Sequence, residues 1–291
     1  MKKRILLLFL VAMLLCGCGT QPQPAQVAAT TLPVYEFTSR LCEGTGITVT
    51  RLVTESVSCL HDYALNVSQV RSAEAAEMVV ISGAGLEEFM EDLLRDRLVI
   101  DASMGISLLE CAEEEDHDHG HEHHHHDVDN HIWLAPENAK IMAENICTGL
   151  SQQYPAYGDI FQQNLSAILE DLDELTHYGR LQLSDLRCRE LVTFHDGFAY
   201  LANSFDLTIL EAVEEESGSE ASAAELKHLI TTVRDHSLPA IFTETNGSDS
   251  AASVIARETG ISCYNLDMAM SGESYFEAMY HNIDTIKEAL G

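Results

Sequence analysis

Apolar residues in this chain recur in two alternating modes: short runs rich in β-branched residues, and longer stretches where they return every third or fourth position. Ile47-Thr-Val-Thr-Arg-Leu-Val53 has the β-branched content and rough alternation of a strand, and Met78-Val-Val-Ile-Ser82 is a short buried one. Gly83-Ala84-Gly85 closes the second run as a turn. Residues 69–77 carry a helical pattern, Leu86, Phe89, Met90, Leu93 and Leu94 share one helical face, and Leu98 to Asp101 reads as strand again. Further on, Pro136 to Leu150 predicts a helix with Ile141, Ile146 and Leu150 on one side, Pro136 suiting its first turn. Strand and helix in alternation predict a parallel sheet covered by helices.

The pattern changes from Tyr157 to Tyr178. Phe161, Leu165, Ile168, Leu172 and Leu175 repeat at four, three, four and three, which predicts one long amphipathic helix. It stands between two α/β halves and is expected to bridge them. The second half begins with a strand, Glu190 to Phe194, that ends at His195. Ser222 and Glu225 form a capping box opening a helix with Leu226, Leu229, Ile230 and Val233 inward. Ala240 to Glu244 is a strand, Ser248 to Thr259 a helix stopped by Gly260, and Ile261 to Leu266 a strand ending at Asp267. A second box, Ser274 with Glu277, opens a last helix carrying Phe276, Met279, Ile283, Ile286 and Leu290. The second half repeats the architecture of the first, not its sequence.

Charge narrows the function. Sixteen Lys and Arg stand against 47 Asp and Glu, a formal balance of −31. Such a surface repels nucleic acid and anionic headgroups and draws cations. Residues 1–17 combine Lys2, Lys3 and Arg4 with an apolar run from Ile5 to Leu15, the form of a secretory signal and too short for a stable span. Leu15-Cys16-Gly17-Cys18 resembles a bacterial lipobox, with Cys18 as the lipidated residue; the alternative is an ordinary signal with an incidental cysteine. Residues 18–28, rich in Gln, Pro, Thr and Ala, read as a tether. The remainder is expected outside the cytoplasm, in the periplasm or at the cell surface. Cys42, Cys59, Cys111, Cys147, Cys188 and Cys263 are then left to form disulfides or remain buried thiols.

One stretch departs from every folding pattern. Between Asp116 and His126 seven of the fourteen histidines are interleaved with carboxylates: His117, His119, His121, His123, His124, His125 and His126. With no apolar period it cannot cover a core, and it reads as a metal-collecting loop over residues 113–127. A solvated polar loop is the plainer alternative. His131 follows directly, leading into the apolar Ile132-Trp133-Leu134. His61, His131 and His195 each stand where regular structure gives way to a loop or turn, and Asp267 holds the matching place late in the chain. In open α/β sheets such positions converge outside the carboxyl ends of the strands. Each also has a plain role, a histidine bonded to a nearby carbonyl or an aspartate capping the next segment.

The segments Ser58-Cys59-Leu60-His61-Asp62-Tyr63, Asp129-Asn130-His131-Ile132-Trp133-Leu134-Ala135-Pro136, Thr193-Phe194-His195-Asp196-Gly197-Phe198-Ala199-Tyr200-Leu201 and Leu266-Asp267 resemble, in succession, the ligand motifs of the zinc- and manganese-binding lipoproteins of ABC importers. The match runs from about Ala29 to Leu290. Ser58, Cys59 and Ala64-Leu65 depart from the Asp-Pro-His and Tyr-Glu-Pro that this family usually carries around its first ligand. The resemblance implies an α/β protein of two lobes, each a parallel sheet flanked by helices. One long rigid helix joins them, and the metal lies in the interlobe cleft on His61, His131, His195 and Asp267. It divides the chain into an N-terminal lobe over 29–154, a linking helix over 155–184 and a C-terminal lobe over 185–291. Three imidazoles and one carboxylate suit tetrahedral zinc; manganese, which favours more oxygen, is the lesser candidate. Glu244 is read as a residue orienting a ligand imidazole, as a second carboxylate ligand or as a helix cap. Cys59 ranks below the four, since a thiolate would hold zinc too firmly for delivery.

The expected function is zinc capture and delivery to the permease of an ABC importer by a monomer anchored on the outer face of the membrane. A surface zinc buffer or adhesin without a transporter is the alternative. A zinc hydrolase is disfavoured, because four protein ligands close the position water needs.

Overall fold

Val27, Ala28 and Ala29 open the first sheet as β1 (Val27–Ala29), fully buried despite their polar neighbours. The computed structural model describes residues 25–57, 60, 63–110, 128–213, 222–245, 247 and 250–291, so the leader and Cys18 lie outside the described residues. The reading of 18–28 as tether is corrected at its end: Val27 and Ala28 belong to the sheet. A three-residue strand flanked by Gln26 and Thr30 shows no alternation, and only pairing on both sides defines it.

Helix α1 (Leu32–Leu41) follows, then β2 (Val49–Arg51) and α2 (Val67–Ala75), whose Asn66 and Gln69 form a complete capping box. Strand β3 (Met78–Ile81) is succeeded by a 3-10 turn at Glu88–Met90 and the single-turn α3 (Glu91–Leu94). The continuous helical face expected from Leu86 to Leu94 is thus broken. Glu87 turns inward to accept the amides of Ser82 and Gly83, and its backbone leaves the helical region at φ −95, ψ 26. Strand β4 (Val99–Asp101) completes an all-parallel sheet of order β2-β1-β3-β4.

Strands β5 (Leu109–Glu110) and β6 (Val128–Asp129) pair antiparallel and bring together the ends of the His-rich stretch; residues 111–127 lie outside the described residues. A 3-10 turn at Ile132–Leu134 leads into α4 (Pro136–Gln153). Its inward stripe is Ala139, Met142, Ala143, Ile146, Cys147 and Leu150, while Ile141, expected inside, is half-buried.

The bridging helix α5 (Gly158–Gln182) has 25 residues and buries Phe161, Leu165, Ile168, Leu172 and Leu175, the full predicted stripe. The second sheet uses β7 (Glu190–Thr193), α6 (Ala199–Ser204), β8 (Thr208–Ala212), α7 (Ala223–Asp235), β9 (Ala240–Glu244), α8 (Ser250–Thr259), β10 (Ser262–Leu266) and α9 (Tyr275–Leu290). Its parallel order is β10-β9-β7-β8, with a register shift between Leu191 and Val192. The Ser222–Glu225 box forms both bonds. At α9 only half of the second box forms: Ser274 accepts the Glu277 amide, while Glu36 of α1 takes the Tyr275 amide at 2.6 Å.

Helix α5 packs on α4 and α1 of the first half and on α9 of the second. The main hydrophobic core is therefore continuous from Val27 to Leu290, with smaller clusters under the outer helices of each sheet. Cys42, Cys147 and Cys188 are free thiols, burial pushing Cys42 up to about 12; Cys59 and Cys111 lie outside the described residues. No helix among the described residues is long and apolar enough to cross a membrane.

Candidate metal centre

The Asp129-Asn130-His131 segment leaves β6 and turns at once into the 3-10 helix, so Asp129 can reach back to its own neighbour. Its Oδ1 accepts the His131 backbone amide at 2.9 Å and stands 2.8 Å from His131 Nδ1. A carboxylate there holds the proton on Nδ1 and leaves Nε2 with its lone pair outward. Trp133 stands edge-on to the same ring at 5.4 Å, and His131 is buried.

His195 arrives from the other sheet. Thr193, the last residue of β7, donates its hydroxyl to the His195 carbonyl at 3.1 Å, and Phe194 N–H is held by Phe242 O of β9. The two rings meet nearly perpendicular, 88° apart, with Nε2 to Nε2 at 3.4 Å. Two nitrogens each about 2.0–2.1 Å from a tetrahedral zinc ion stand roughly 3.3–3.4 Å apart. Gly197 makes this approach sterically feasible: a Cβ there would lie 2.8 Å from His195 Cδ2, 3.0 Å from His131 Cε1 and 2.7 Å from Met268 Cε. Burial and the charge of Asp129 raise the Asp196 carboxyl above its ordinary range, against the lowering effect of His131. Asp129 Oδ2 is buried without a hydrogen-bond partner among the described residues.

Parallel register aligns the rest of this edge. Thr193 pairs with Phe242 and Leu266 with Glu244, which puts His195 level with Glu244, and Asp267 one residue beyond, at the carboxyl ends of β7, β9 and β10. Strands two apart are separated by about 9–10 Å, within joint reach of a histidine and an aspartate around one ion. Asp267 is clamped through its backbone by Asn282 of α9, which accepts its N–H and donates to its C=O, each at 2.7 Å. Its Oδ1 accepts the Ala269 amide at 2.7 Å, which sets the rotation of the carboxylate. Glu244 is buried, and Gly247 leaves room for it, a Cβ there falling 2.4 Å from Glu244 Cγ.

Of the four residues expected to converge, His131 and His195 are brought together, and Asp267 stands on the same edge. No group of three or more metal-binding side chains forms among the described residues. His61, Cys59 and the histidines from His117 to His126 lie outside the described residues. Sequence reasoning did not assign roles to Asp129, Gly197 or Asn282. Asp129, two residues before a candidate ligand, carried a readable signal; Asn282 carried none, because its partner is 15 residues away on another element.

Two α/β lobes spanned by one helix, with imidazoles meeting between their strand ends, define a two-lobed binding protein of metal-site chemistry. The chain belongs to the family described as ZnuA, zinc-uptake complex component A, periplasmic, whose model matches residues 27–289. That is a component of an uptake complex and not an enzyme. The chain is 32% identical to the zinc-binding lipoprotein AdcA of Streptococcus pneumoniae over 99% of its own length, and it spans 61% of that relative. It is 28% identical to the high-affinity zinc uptake system protein ZnuA of Bacillus subtilis, covering 97% of both. A crystal structure of ZnuA matches with a TM-score of 0.78 at 28% identity, covering 92% of this chain and all of that one.

Proposed function

We propose that this chain captures zinc outside the cytoplasm and hands it to the permease of an ABC importer, with His131 and His195 as two of the metal ligands. The observation that carries the reading is the 3.4 Å spacing of two Nε2 atoms, one presented by each lobe, with His131 locked by Asp129 into the tautomer that offers a lone pair. Asp267 supplies a carboxylate oxygen outside its turn with Ala269, and His61 is the remaining ligand. Nitrogen dominates this set, so zinc is the cargo before manganese. Glu244, level with His195, orients the ligand shell from β9. The histidines between His117 and His126 gather metal more weakly, a role that imidazoles interleaved with carboxylates suit. Cys18 carries the lipid that holds the chain, a monomer, on the outer face of the cytoplasmic membrane. Residues 155–184 serve as the linking helix between lobes at 29–154 and 185–291. Relatives named for zinc binding and zinc uptake support the choice of cargo.

The test is zinc titration of the chain lacking its leader, alongside His131→Ala and His195→Ala. Each variant should stay folded and lose affinity by a factor of about 1000 or more, since one of four bonds in a closed site is lost. Wild-type affinity in either variant would remove that residue from the site.

A further inference from the structure

The segment that carries Asp267 is held against the segment that carries His131 by a reciprocal pair of buried hydrogen bonds. Trp133, two residues after His131, donates its indole N–H to the Met268 carbonyl at 2.7 Å. Tyr275, the first residue of α9, donates its hydroxyl back to the Trp133 carbonyl at 2.8 Å. Trp133 and Tyr275 are both fully buried, and Met268 is nearly so. Between the two contact points the chain runs from Met268 to Ser274 with Ala269 in the left-handed region at φ 52, a conformation a side chain disfavours unless its surroundings enforce it. Two further bonds from the first half pin the far end of the same loop: Arg51 reaches the Gly272 carbonyl at 2.8 Å, and Glu36 accepts the Tyr275 amide.

These contacts have a particular place. The Trp133 ring touches the His131 ring edge-on, and the Met268 methyl lies beside Gly197 where that glycine faces both imidazoles. The distance between the His131-bearing and Asp267-bearing segments is therefore set by Trp133 and Tyr275, whose polar atoms are committed to the Met268 and Trp133 carbonyls and not to the ligand set. Because the bonds cross between the lobes in a dry core, neither can be exchanged for water without opening the interface.

We propose that Trp133 and Tyr275 are positioning residues of the metal site, forming an interlobe clasp that governs how long zinc is retained. This rests on the ligand reading given above. The clasp fixes Asp267 relative to the histidines before metal arrives, so its loss should act on release more than on capture.

The experiment measures zinc dissociation by chelator competition in stopped flow, and apo and zinc-loaded melting temperatures, for Trp133→Phe, Tyr275→Phe and His195→Ala. Tyr275→Phe keeps the ring and removes one donor, so it serves if Trp133→Phe does not fold. Each clasp variant should release zinc about tenfold faster, the scale of one buried hydrogen bond left unmade, with association within about twofold of wild type. The melting-temperature gain on adding zinc should shrink with it. If both variants release zinc at the wild-type rate and keep the full gain, while His195→Ala has lost zinc, the clasp is overturned and the ligand reading stands. If His195→Ala itself binds as wild type, the ligand reading fails and the clasp falls with it.

Discussion

The carboxyl edges of the two sheets have the same architecture and opposite chemistry. At the first sheet the polar groups consume one another. Glu87 accepts the Thr30 hydroxyl at 2.6 Å, the Ser82 amide at 2.7 Å and the Gly83 amide at 3.0 Å, and the hydroxyls of Thr31 and Ser82 meet at 2.8 Å. At the second sheet Thr193 donates to the His195 carbonyl, Asn282 satisfies both backbone groups of Asp267, and the His195 ring presents Nε2 to His131 across the lobes. Buried polar groups must find partners. An edge that supplies them internally becomes a structural plug, and one that directs side chains outward presents a site for cargo. Among the described residues, the first lobe reaches His195 through the β6 turn, where Asp129 and not a sheet-edge residue fixes the His131 imidazole.

The contrast can be broken from the first lobe with the largest expected effect. Burial pushes the Glu87 carboxyl up to about 7 from 4.5, with Thr30, Ser82 and Gly83 opposing it and Asp101 adding to it. A folded value above the unfolded one means the folded state keeps a proton that the unfolded chain has released. This stabilisation is full below about 4.5 and lost as pH rises through about 7, up to about 3 kcal/mol in all. Urea unfolding at pH 5 and pH 8 should show wild type losing stability relative to Glu87→Gln across that window. An unchanged difference would mean that the plug does not titrate as described.

The second lever is Asp129. Asp129→Ala removes the acceptor for both the amide and the ring nitrogen of His131, and zinc affinity should fall about 10- to 100-fold with the fold retained. Asp129→Asn, which keeps an oxygen but not the charge, should fall between that variant and wild type. Competition titration ranks the three, and equal affinities would deny Asp129 its orienting role. The smallest effect is expected from deleting residues 113–127. Strands β5 and β6 end outside that segment, and Tyr200 binds the hairpin from α6, accepting the Leu109 amide and donating to the Asp129 carbonyl. One tight zinc should remain per molecule, within about threefold of the intact affinity, while weaker zinc is lost. Loss of the tight ion on titration would place the primary site in the deleted stretch.

The alternation of apolar runs determined the class of fold. The stripe from Phe161 to Leu175 determined the bridging helix almost to its ends, because a 3.6-residue period is a local property that packing only confirms. The capping box at Ser222 was legible for the same reason. Strand β1 was not, since three residues carry no period, nor was the break at Glu87, where a buried carboxylate overrode an apolar face. For the site, the sequence marked His131 and His195 by their motifs, and it showed the charge and the His-rich stretch that favour a cation. Only the tertiary structure brought their Nε2 atoms to 3.4 Å and set Asn282 on Asp267 and Trp133 on Met268. Those pairings link residues 64, 15 and 135 positions apart. No local period encodes such distances; they follow from how α5 and a continuous core dock one sheet against the other.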